Sequence, residues 1–218
     1  MPIIAIIGID GCGKTTQARM LVEQLVKEGH KAMYIQPVFA ILNILPPLIR
    51  SKLESTLSPR KTRTTQPNSP AKHIIRGIRS LLGGILAYPY ALLSYMLLAF
   101  YSRKNRVVIC DRYFYQFFFD LYGNRSQKII KIFPKPNVAY FLQGDLNLLY
   151  SRMSNPSDLA VSKVYYTEVN DLYKNIARKH RFIEIDTSLT KEMASETILN
   201  HFKKFLKNEG DLIEANYA

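Results

Sequence analysis

Residues 8–16 read GIDGCGKTT and match the phosphate-binding pattern G-x-x-x-x-G-K-[ST]. Glycines allow backbone conformations that a Cβ would forbid, so several N–H groups of such a loop can point at one phosphate chain. Lys14 is expected to reach the β and γ phosphate oxygens, and the hydroxyl of Thr15 is expected to ligate Mg²⁺. The pattern therefore predicts an ATP site with Lys14 as a catalytic residue. Its predicted members are Gly8, Ile9, Asp10, Gly11, Cys12, Gly13, Lys14, Thr15 and Thr16.

A second group of reactive side chains follows the apolar run RVVIC at 106–110, where Asp111, Arg112 and Tyr113 come in succession. Such a run predicts a buried strand, and ligands bind at the carboxyl ends of strands in open α/β sheets. A carboxylate there can hold Mg²⁺ or its waters, and the planar guanidinium of Arg112 suits a second phosphate group. We therefore predict Asp111 as a metal ligand together with Thr15, and Asp111 and Arg112 as substrate-binding residues.

Two further candidates come from less specific patterns. The stretch YFYQFFFDLY at 113–122 contains Gln116 and Asp120 as its strongly polar members. At helical spacing such a stripe is usually core; the alternative is that Tyr113, Gln116 and Asp120 face a planar acceptor. Arg152 precedes a loop that we interpret as a short lid at 152–163, where a cation can neutralise charge on a transferred group. A surface arginine is the alternative interpretation.

Alternating strand and helix patterns position these groups. The run Ile3–Ile7 predicts a strand buried on both faces, and apolar residues at helical spacing predict a helix over 16–28. The whole pattern predicts an α/β fold, with one domain over 1–210 and a frayed tail over 211–218. Further strands are predicted at 30–36, 106–110, 137–142 and 181–185, and further helices at 146–153, 164–180 and 192–206.

The middle of the chain departs from this pattern. Residues 51–80 are basic and interrupted by Pro59, Pro67 and Pro70, which predicts either a solvated insertion or a flap over an anionic substrate or lipid head group. Residues 81–101 carry no charge. We interpret them as a helix buried against the sheet and against a dimer partner, with membrane-surface contact through 51–101 as the alternative.

Composition narrows the choice of ligands and compartment. The formal charge of +13 over 218 residues suits anionic ligands such as nucleotides, nucleic acid or an acidic membrane surface. Cys12 and Cys110 do not form a disulfide framework, and no secretory signal is visible, so we expect a cytoplasmic, reducing compartment. Cys12 is either a thiol activated by the loop amides or a small residue that fits there.

With these motifs, the chain resembles the thymidylate kinase family of nucleoside monophosphate kinases, within the P-loop NTPase superfamily. The resemblance lies in GIDGCGKTT, in VICDRY, and in PNVAYFL, LLYSRM, YYTEVNDLYKNIA and FIEIDTS. It implies a three-layer sandwich with a five-stranded parallel sheet, a homodimer, and phosphoryl transfer from ATP with Mg²⁺ to a nucleoside 5′-monophosphate, by default dTMP to dTDP. It also implies that Asp10 lies near the acceptor sugar and the metal, that Arg112 grips the acceptor phosphate, and that Arg152 borders the lid.

The acceptor side departs from the family pattern. Ile35, Gln36 and Pro37 stand where family members typically carry Arg-Glu-Pro, and Tyr88 and Tyr90 stand in a stretch that usually supplies an arginine. Two alternatives therefore remain open. One is a P-loop kinase of another acceptor, such as a lipid-linked molecule or a sugar. The other is a non-catalytic, nucleotide-dependent module that binds a membrane or nucleic acid. The Asp111-Arg112 pair argues against this module, which does not need it, and we do not expect nucleic acid as a partner.

Overall fold

A parallel β-sheet forms the centre of the protein. The computed structural model describes residues 1–40, 70–104, 106–151, 163–188 and 190–217, with only the backbone described for 70–86, 124, 150 and 209–217. In this part of the chain, five strands are arranged in the order β2-β3-β1-β4-β5. They are β1 (Ile3–Ile7), β2 (Ala32–Ile35), β3 (Val107–Asp111), β4 (Val138–Gln143) and β5 (Ile183–Asp186). Every residue of β1 and β3 is buried, as their continuous apolar runs predict.

Helices cover both faces of this sheet. They are α1 (Lys14–Lys27), α2 (Pro37–Ala40), α3 (Pro70–Arg103), α4 (Phe114–Tyr122), α5 (Ser126–Ile132), α6 (Leu146–Ser151), α7 (Lys163–His180) and α8 (Lys191–Tyr217). Helix α1 contacts β2, β3 and α8, whereas α3 contacts β1, β3 and α4. The predicted three-layer α/β arrangement with a five-stranded parallel sheet is therefore confirmed.

The register of the sheet brings the two predicted reactive segments together. In β1, Ile6 pairs with Asp111 of β3, and the backbone N–H of Arg112 donates to the Ile6 carbonyl at 2.9 Å. The glycine-rich loop begins one residue after Ile7, so it leaves the sheet beside the end of β3. Because β1 has β3 on one side and β4 on the other, the loop lies at the point where the strand order reverses.

Helix α3 differs from the prediction in its start and in its burial. It begins at Pro70, so residues 70–80 are helical rather than part of a proline-broken insertion. Proline suits a first helical position because its missing N–H would have no partner there. Over 87–101, where the structure describes the side chains, one face is buried, with Ala87, Ala91 and Leu98 at its centre. The opposite face leaves large apolar side chains exposed, namely Leu93, Met96 and Phe100.

The C-terminal segment also differs from the prediction. Helix α8 continues to Tyr217, whereas a frayed tail was expected over 211–218. Proline is absent from 207–217, and the single Gly210 costs about 1 kcal/mol of helix propensity, which is too little to end a helix. Among the described residues, we find no helix with the length and apolar character that a membrane span requires.

Candidate active site

The loop between β1 and α1 has the backbone of a phosphate cradle. Gly8, Gly11 and Gly13 all have positive φ angles, of 149°, 84° and 88°. A Cβ added at Gly8 would lie 2.6 Å from the carbonyl oxygen of Leu142, so only glycine fits there. Helix α1 begins directly after Gly13, and no side chain caps its first turn. Its N-terminal amide groups therefore face the space enclosed by the loop, where an anion would be stabilised.

Three charged residues of the predicted site, Asp10, Lys14 and Arg112, lie in direct contact. Lys14 Nζ donates to the Ile9 carbonyl at 2.6 Å and lies 3.4 Å from Asp10 Oδ1. Arg112 Nη2 donates to the same Asp10 oxygen at 2.5 Å. Lys14 and Asp10 are each 4% exposed, whereas Arg112 is 39% exposed. Asp10 thus contacts two cations at once, so the three groups keep a net positive charge, and the guanidinium of Arg112 remains accessible to a ligand.

Asp111 is held at the end of β3 through one of its two oxygens. Thr15 Oγ1 donates to Asp111 Oδ2 at 2.7 Å, the Tyr34 hydroxyl donates at 2.6 Å, and Gln36 Nε2 donates at 3.1 Å. Burial alone would raise the pKa of Asp111, but these three hydrogen bonds and the charge of Lys14 together lower it. The side chain is therefore a carboxylate at neutral pH.

The other oxygen of Asp111 has the properties expected of a metal ligand. Oδ1 is buried and has no hydrogen-bond partner among the described residues, which would be costly unless a further group binds it. In the described part of the chain, no cluster of three or more His, Cys, Asp and Glu side chains could hold a metal alone. Mg²⁺ commonly uses one or two protein oxygens and takes its other ligands from water and phosphate. Thr15 and Asp111 therefore fit the predicted Mg²⁺ site.

A cavity of about 340 Å³ adjoins the outer side of the loop. Gly11, Gly13 and Thr16 line it on one side, and Thr187 and Lys191 line it on the other. Gln17 also lines it; its Nε2 donates to the Lys191 carbonyl at 2.8 Å, and its Oε1 has no partner among the described residues. The cavity therefore combines polar groups with direct access to the phosphate cradle.

Gln116 and Asp120 belong to a buried polar cluster with two tyrosines of α7. Gln116 Nε2 donates to the Tyr165 hydroxyl at 3.2 Å, and that hydroxyl donates to Asp120 Oδ1. The Tyr173 hydroxyl lies 3.5 Å from Gln116 Oε1. Burial raises the pKa of Tyr173, and the nearby charge of Arg112 opposes this rise. Tyr173 therefore connects this cluster electrostatically to the charged residues of the loop.

Three predicted site residues have different outcomes. The ring of Tyr113 is 1% exposed and packs against Phe133, and its hydroxyl donates to the Pro134 carbonyl at 2.9 Å. The structure does not support a substrate contact by Tyr113, because its ring is buried in the core and its hydroxyl already donates a hydrogen bond there. Arg152 and the lid before Lys163 lie outside the described residues, as do residues 51–69 of the insertion predicted over 51–80. Burial raises the pKa of the Cys12 thiol, so Cys12 is a small packing residue rather than an activated thiolate.

Sequence analysis missed four polar contributors: Tyr34, Gln36, Tyr165 and Tyr173. Gln36 was noticed only as a departure from the family pattern. Tyr34 stands two residues before it, so both side chains point to the same side of the extended backbone and reach Asp111 together. That spacing was the available signal. For the two tyrosines of α7 there was none, because their contacts depend on how α7 packs against α4.

Sequence comparisons agree with this geometry. The chain is 25% identical to a probable thymidylate kinase of Methanosphaera stadtmanae, over 94% of this chain and 98% of that protein. It is also 25% identical to one of Sulfurisphaera tokodaii, over 88% and 90%. A match to one of Methanocaldococcus jannaschii has 29% identity but spans only 48% of this chain and 56% of that protein. No family model matches the chain.

The comparison with solved structures concerns the fold. A deoxyadenosine kinase from M. mycoides with bound dCTP superimposes with a TM-score of 0.53 and 16% identity, covering 93% of this chain and 99% of that one. The two proteins therefore share a fold. Together with the sequence relatives, this confirms the predicted resemblance of the chain to the thymidylate kinase family of nucleoside monophosphate kinases.

Proposed function

We propose that this protein transfers a phosphoryl group from ATP, with Mg²⁺, to a nucleoside 5′-monophosphate, and that dTMP is the acceptor. The observation that carries the proposal is the state of Asp111. Its Oδ2 is fixed by Thr15, and its buried Oδ1 has no partner among the described residues. In phosphoryl transfer, a carboxylate beside the phosphate loop can bind the Mg²⁺ ion that accompanies ATP. The sequence relatives, which are named probable thymidylate kinases, support the choice of acceptor.

The donor would bind along the loop. Lys14 would exchange the Ile9 carbonyl and Asp10 for oxygens of the β and γ phosphates, while the amides at the start of α1 hold the same phosphates. Mg²⁺, when bound by Thr15 and Asp111, would neutralise charge on those oxygens. The cavity next to the loop would take the base of ATP, with Gln17 as a polar contact. ATP would therefore lie on the α8 side of the loop.

The acceptor would bind on the other side, near β3. Arg112 is accessible and fixed in direction by Asp10, so it would hold the acceptor phosphate in line with the donor. The cluster of Gln116, Tyr165 and Asp120 offers donors and acceptors for a planar base. The protein performs little covalent chemistry in such a reaction. Its residues position two phosphate groups and stabilise the charge that develops between them.

The test is the release of ADP from ATP with a panel of acceptors. We expect dTMP to accelerate it, and Lys14→Ala to lower the dTMP-dependent rate by about 10²–10³-fold because it removes a cation from the transition state. Lys27→Ala, at the exposed end of α1, is the matched control and should retain the rate. In Asp111→Asn, the Mg²⁺ concentration needed for half-maximal rate should rise. Full activity of Lys14→Ala would remove the proposed donor site.

The same panel decides between acceptors. It should include other nucleoside monophosphates, nucleosides, sugars and a lipid extract, because Ile35 and Gln36 stand where family members typically carry Arg-Glu at the end of β2. Turnover with lipid or sugar and none with any monophosphate would favour the alternative acceptor. Binding of ATP without any acceptor-dependent turnover would favour a non-catalytic module.

Homodimerisation and a cytoplasmic location belong to the same proposal. The exposed face of α3 presents Leu93, Met96 and Phe100, which are 57%, 60% and 52% exposed and lie on one side of the helix. Leu93→Glu should convert a dimer into a monomer in light scattering; a monomeric parent chain that sediments with anionic vesicles would favour membrane-surface contact instead.

Both free cysteines are buried thiols, which fits a reducing compartment.

A further inference from the structure

A second concave site lies at the edge of the sheet opposite the phosphate loop. It has a volume of about 250 Å³ and lies at the amino ends of β4 and β5. The phosphate loop follows the carboxyl end of β1, and all five strands are parallel, so the two sites are on opposite edges. Its polar and aromatic lining includes Lys135, Asn137, His180, Arg181, His201 and Phe205.

The described lining of this cavity is basic. Its lining contains four basic side chains and no acidic one within the described part of the chain. Burial lowers the pKa of His180, and the charges of Lys135 and Lys179 lower it further. Burial and the charge of Lys204 likewise lower the pKa of His201. Lys135 in the loop before β4 and Arg181 after α7 therefore bring two positive charges to one space, and His180 and His201 can add to them on protonation.

His201 is oriented with one nitrogen anchored. The hydroxyl of Tyr140, which is fully buried, donates to the Ile198 carbonyl at 3.3 Å and lies 3.1 Å from His201 Nδ1. Burial raises the pKa of Tyr140, so its hydroxyl stays protonated. The contact with Tyr140 engages Nδ1 of His201 and so orients the imidazole ring.

Arg181 occupies a backbone position that glycine would take at lower cost. Its φ angle is 53°, and the next residue, Phe182, donates its N–H to the Ala177 carbonyl at 3.0 Å, which closes the end of α7. A non-glycine residue there costs about 1 kcal/mol or more. The side chain placed at this turn lines the cavity beside Lys135, and Phe205 supplies an apolar wall.

We propose that this cavity is a second ligand site, which binds a phosphate-bearing small molecule without a metal ion. Arg181 and Lys135 would hold the phosphate group, and His180 and His201 would take up protons as it binds. The phosphate could come from orthophosphate itself or from the 5′-phosphate of a nucleotide. The proposal does not depend on the acceptor proposed for the phosphate loop.

The test uses the histidine Cε1–H signals of the full chain in NMR titrations of pH. The chain has four histidines, and His180→Gln and His201→Gln assign the two signals of interest. Orthophosphate should raise the pKa of both by about one unit, because a nearby dianion stabilises the imidazolium. His30, which precedes β2 at the far end of the sheet, is the internal reference. Sodium chloride at equal ionic strength is the control for screening.

Two arginine variants test which side chain holds the phosphate group, and dTMP as a second ligand tests whether that group belongs to a nucleotide. Arg181→Gln should weaken phosphate binding at least tenfold. Arg178→Gln removes an exposed arginine three residues earlier that does not line the cavity, so it should leave binding unchanged. If dTMP raises the pKa of His180 and His201 and orthophosphate does not, the site is assigned to nucleotides. If both ligands raise the two pKa values equally, it is assigned to the phosphate group alone. The proposal would be overturned if chloride raised the two histidine pKa values as much as phosphate does, or if neither phosphate nor dTMP raised them. It would also be overturned if Arg181→Gln and Arg178→Gln weakened phosphate binding equally.

Discussion

The network around Asp111 allows a quantitative test through Tyr34→Phe. The substitution removes the shortest of three hydrogen bonds to Asp111 Oδ2 and leaves those from Thr15 and Gln36. A hydrogen bond to a charged group contributes about 1.5–3 kcal/mol when buried. Tyr34 is only partly buried and two donors remain, so we expect a loss of about 1–2 kcal/mol in the free energy of unfolding at pH 7. With a urea slope of about 2 kcal/mol/M, the midpoint should fall by about 0.5–1 M.

The pH dependence follows from the directions of two pKa shifts. The pKa of Asp111 is lowered in the folded protein, so its stabilisation is present above about pH 4 and is lost as pH falls through the folded value. The pKa of Tyr34 is raised by burial and by Asp111, so its contribution is present below about pH 10 and is lost as pH rises through the folded value. The difference between parent and variant should therefore be constant from about pH 5 to 9.

A matched control separates the hydrogen bond from the loss of a hydroxyl. Tyr88 is partly buried like Tyr34, and its hydroxyl makes no hydrogen bond to the described residues. Tyr88→Phe should change the urea midpoint by less than about 0.2 M. Equal midpoints for Tyr34→Phe and the parent chain, or equal shifts for the two variants, would refute the proposed anchoring of Asp111. In the kinase assay, Tyr34→Phe should also raise the Mg²⁺ requirement, because the metal-side carboxylate is less firmly placed.

Three further outcomes can be checked. Gly8→Ala should destabilise the protein by about 2–4 kcal/mol in urea unfolding, because the new Cβ would lie 2.7 Å from Cys12 Sγ at a φ angle of 149°. Tyr165→Phe should cost about 2 kcal/mol in the same assay, since it deprives the buried Asp120 of a hydrogen bond; an unchanged midpoint would contradict this. Cys12 and Cys110 should react slowly with a thiol reagent at pH 8, because burial raises both pKa values, and both should react at once in denaturant. Fast labelling of the folded protein would show that Cys12 is an activated thiol.

The sequence was sufficient to predict the sheet and the phosphate loop because both depend on local patterns. Continuous apolar runs mark the strands that are buried on both faces, and the glycine spacing marks the loop. The proximity of Asp111 to Thr15 was also predictable, since the carboxyl ends of adjacent parallel strands meet at one edge. These features need no knowledge of how helices pack.

The remaining features depend on packing that a sequence pattern does not encode. Tyr113 and Gln116 are close in sequence and similar in polarity, yet one fills the core and the other joins a polar cluster. The difference arises because Tyr113 is in extended conformation just before α4, where its hydroxyl donates to the Pro134 carbonyl, whereas Gln116 lies within α4 and donates to Tyr165 of α7. Likewise, the uncharged stretch of α3 could not reveal which of its faces is covered, because all of its faces are apolar.

The two edges of the sheet differ in how their positive charges are balanced. At the carboxyl edge, Lys14 and Arg112 share the carboxylate of Asp10, and Asp111 adds a second negative charge beside them. A phosphate group that enters there meets two carboxylates, and the proposed Mg²⁺ would offset the repulsion. At the amino edge, the described lining around Arg181 contains basic side chains and no carboxylate, so a phosphate group would meet no negative charge there that a metal must offset. Dependence on Mg²⁺ is therefore the property that separates the proposed catalytic site from the proposed second site.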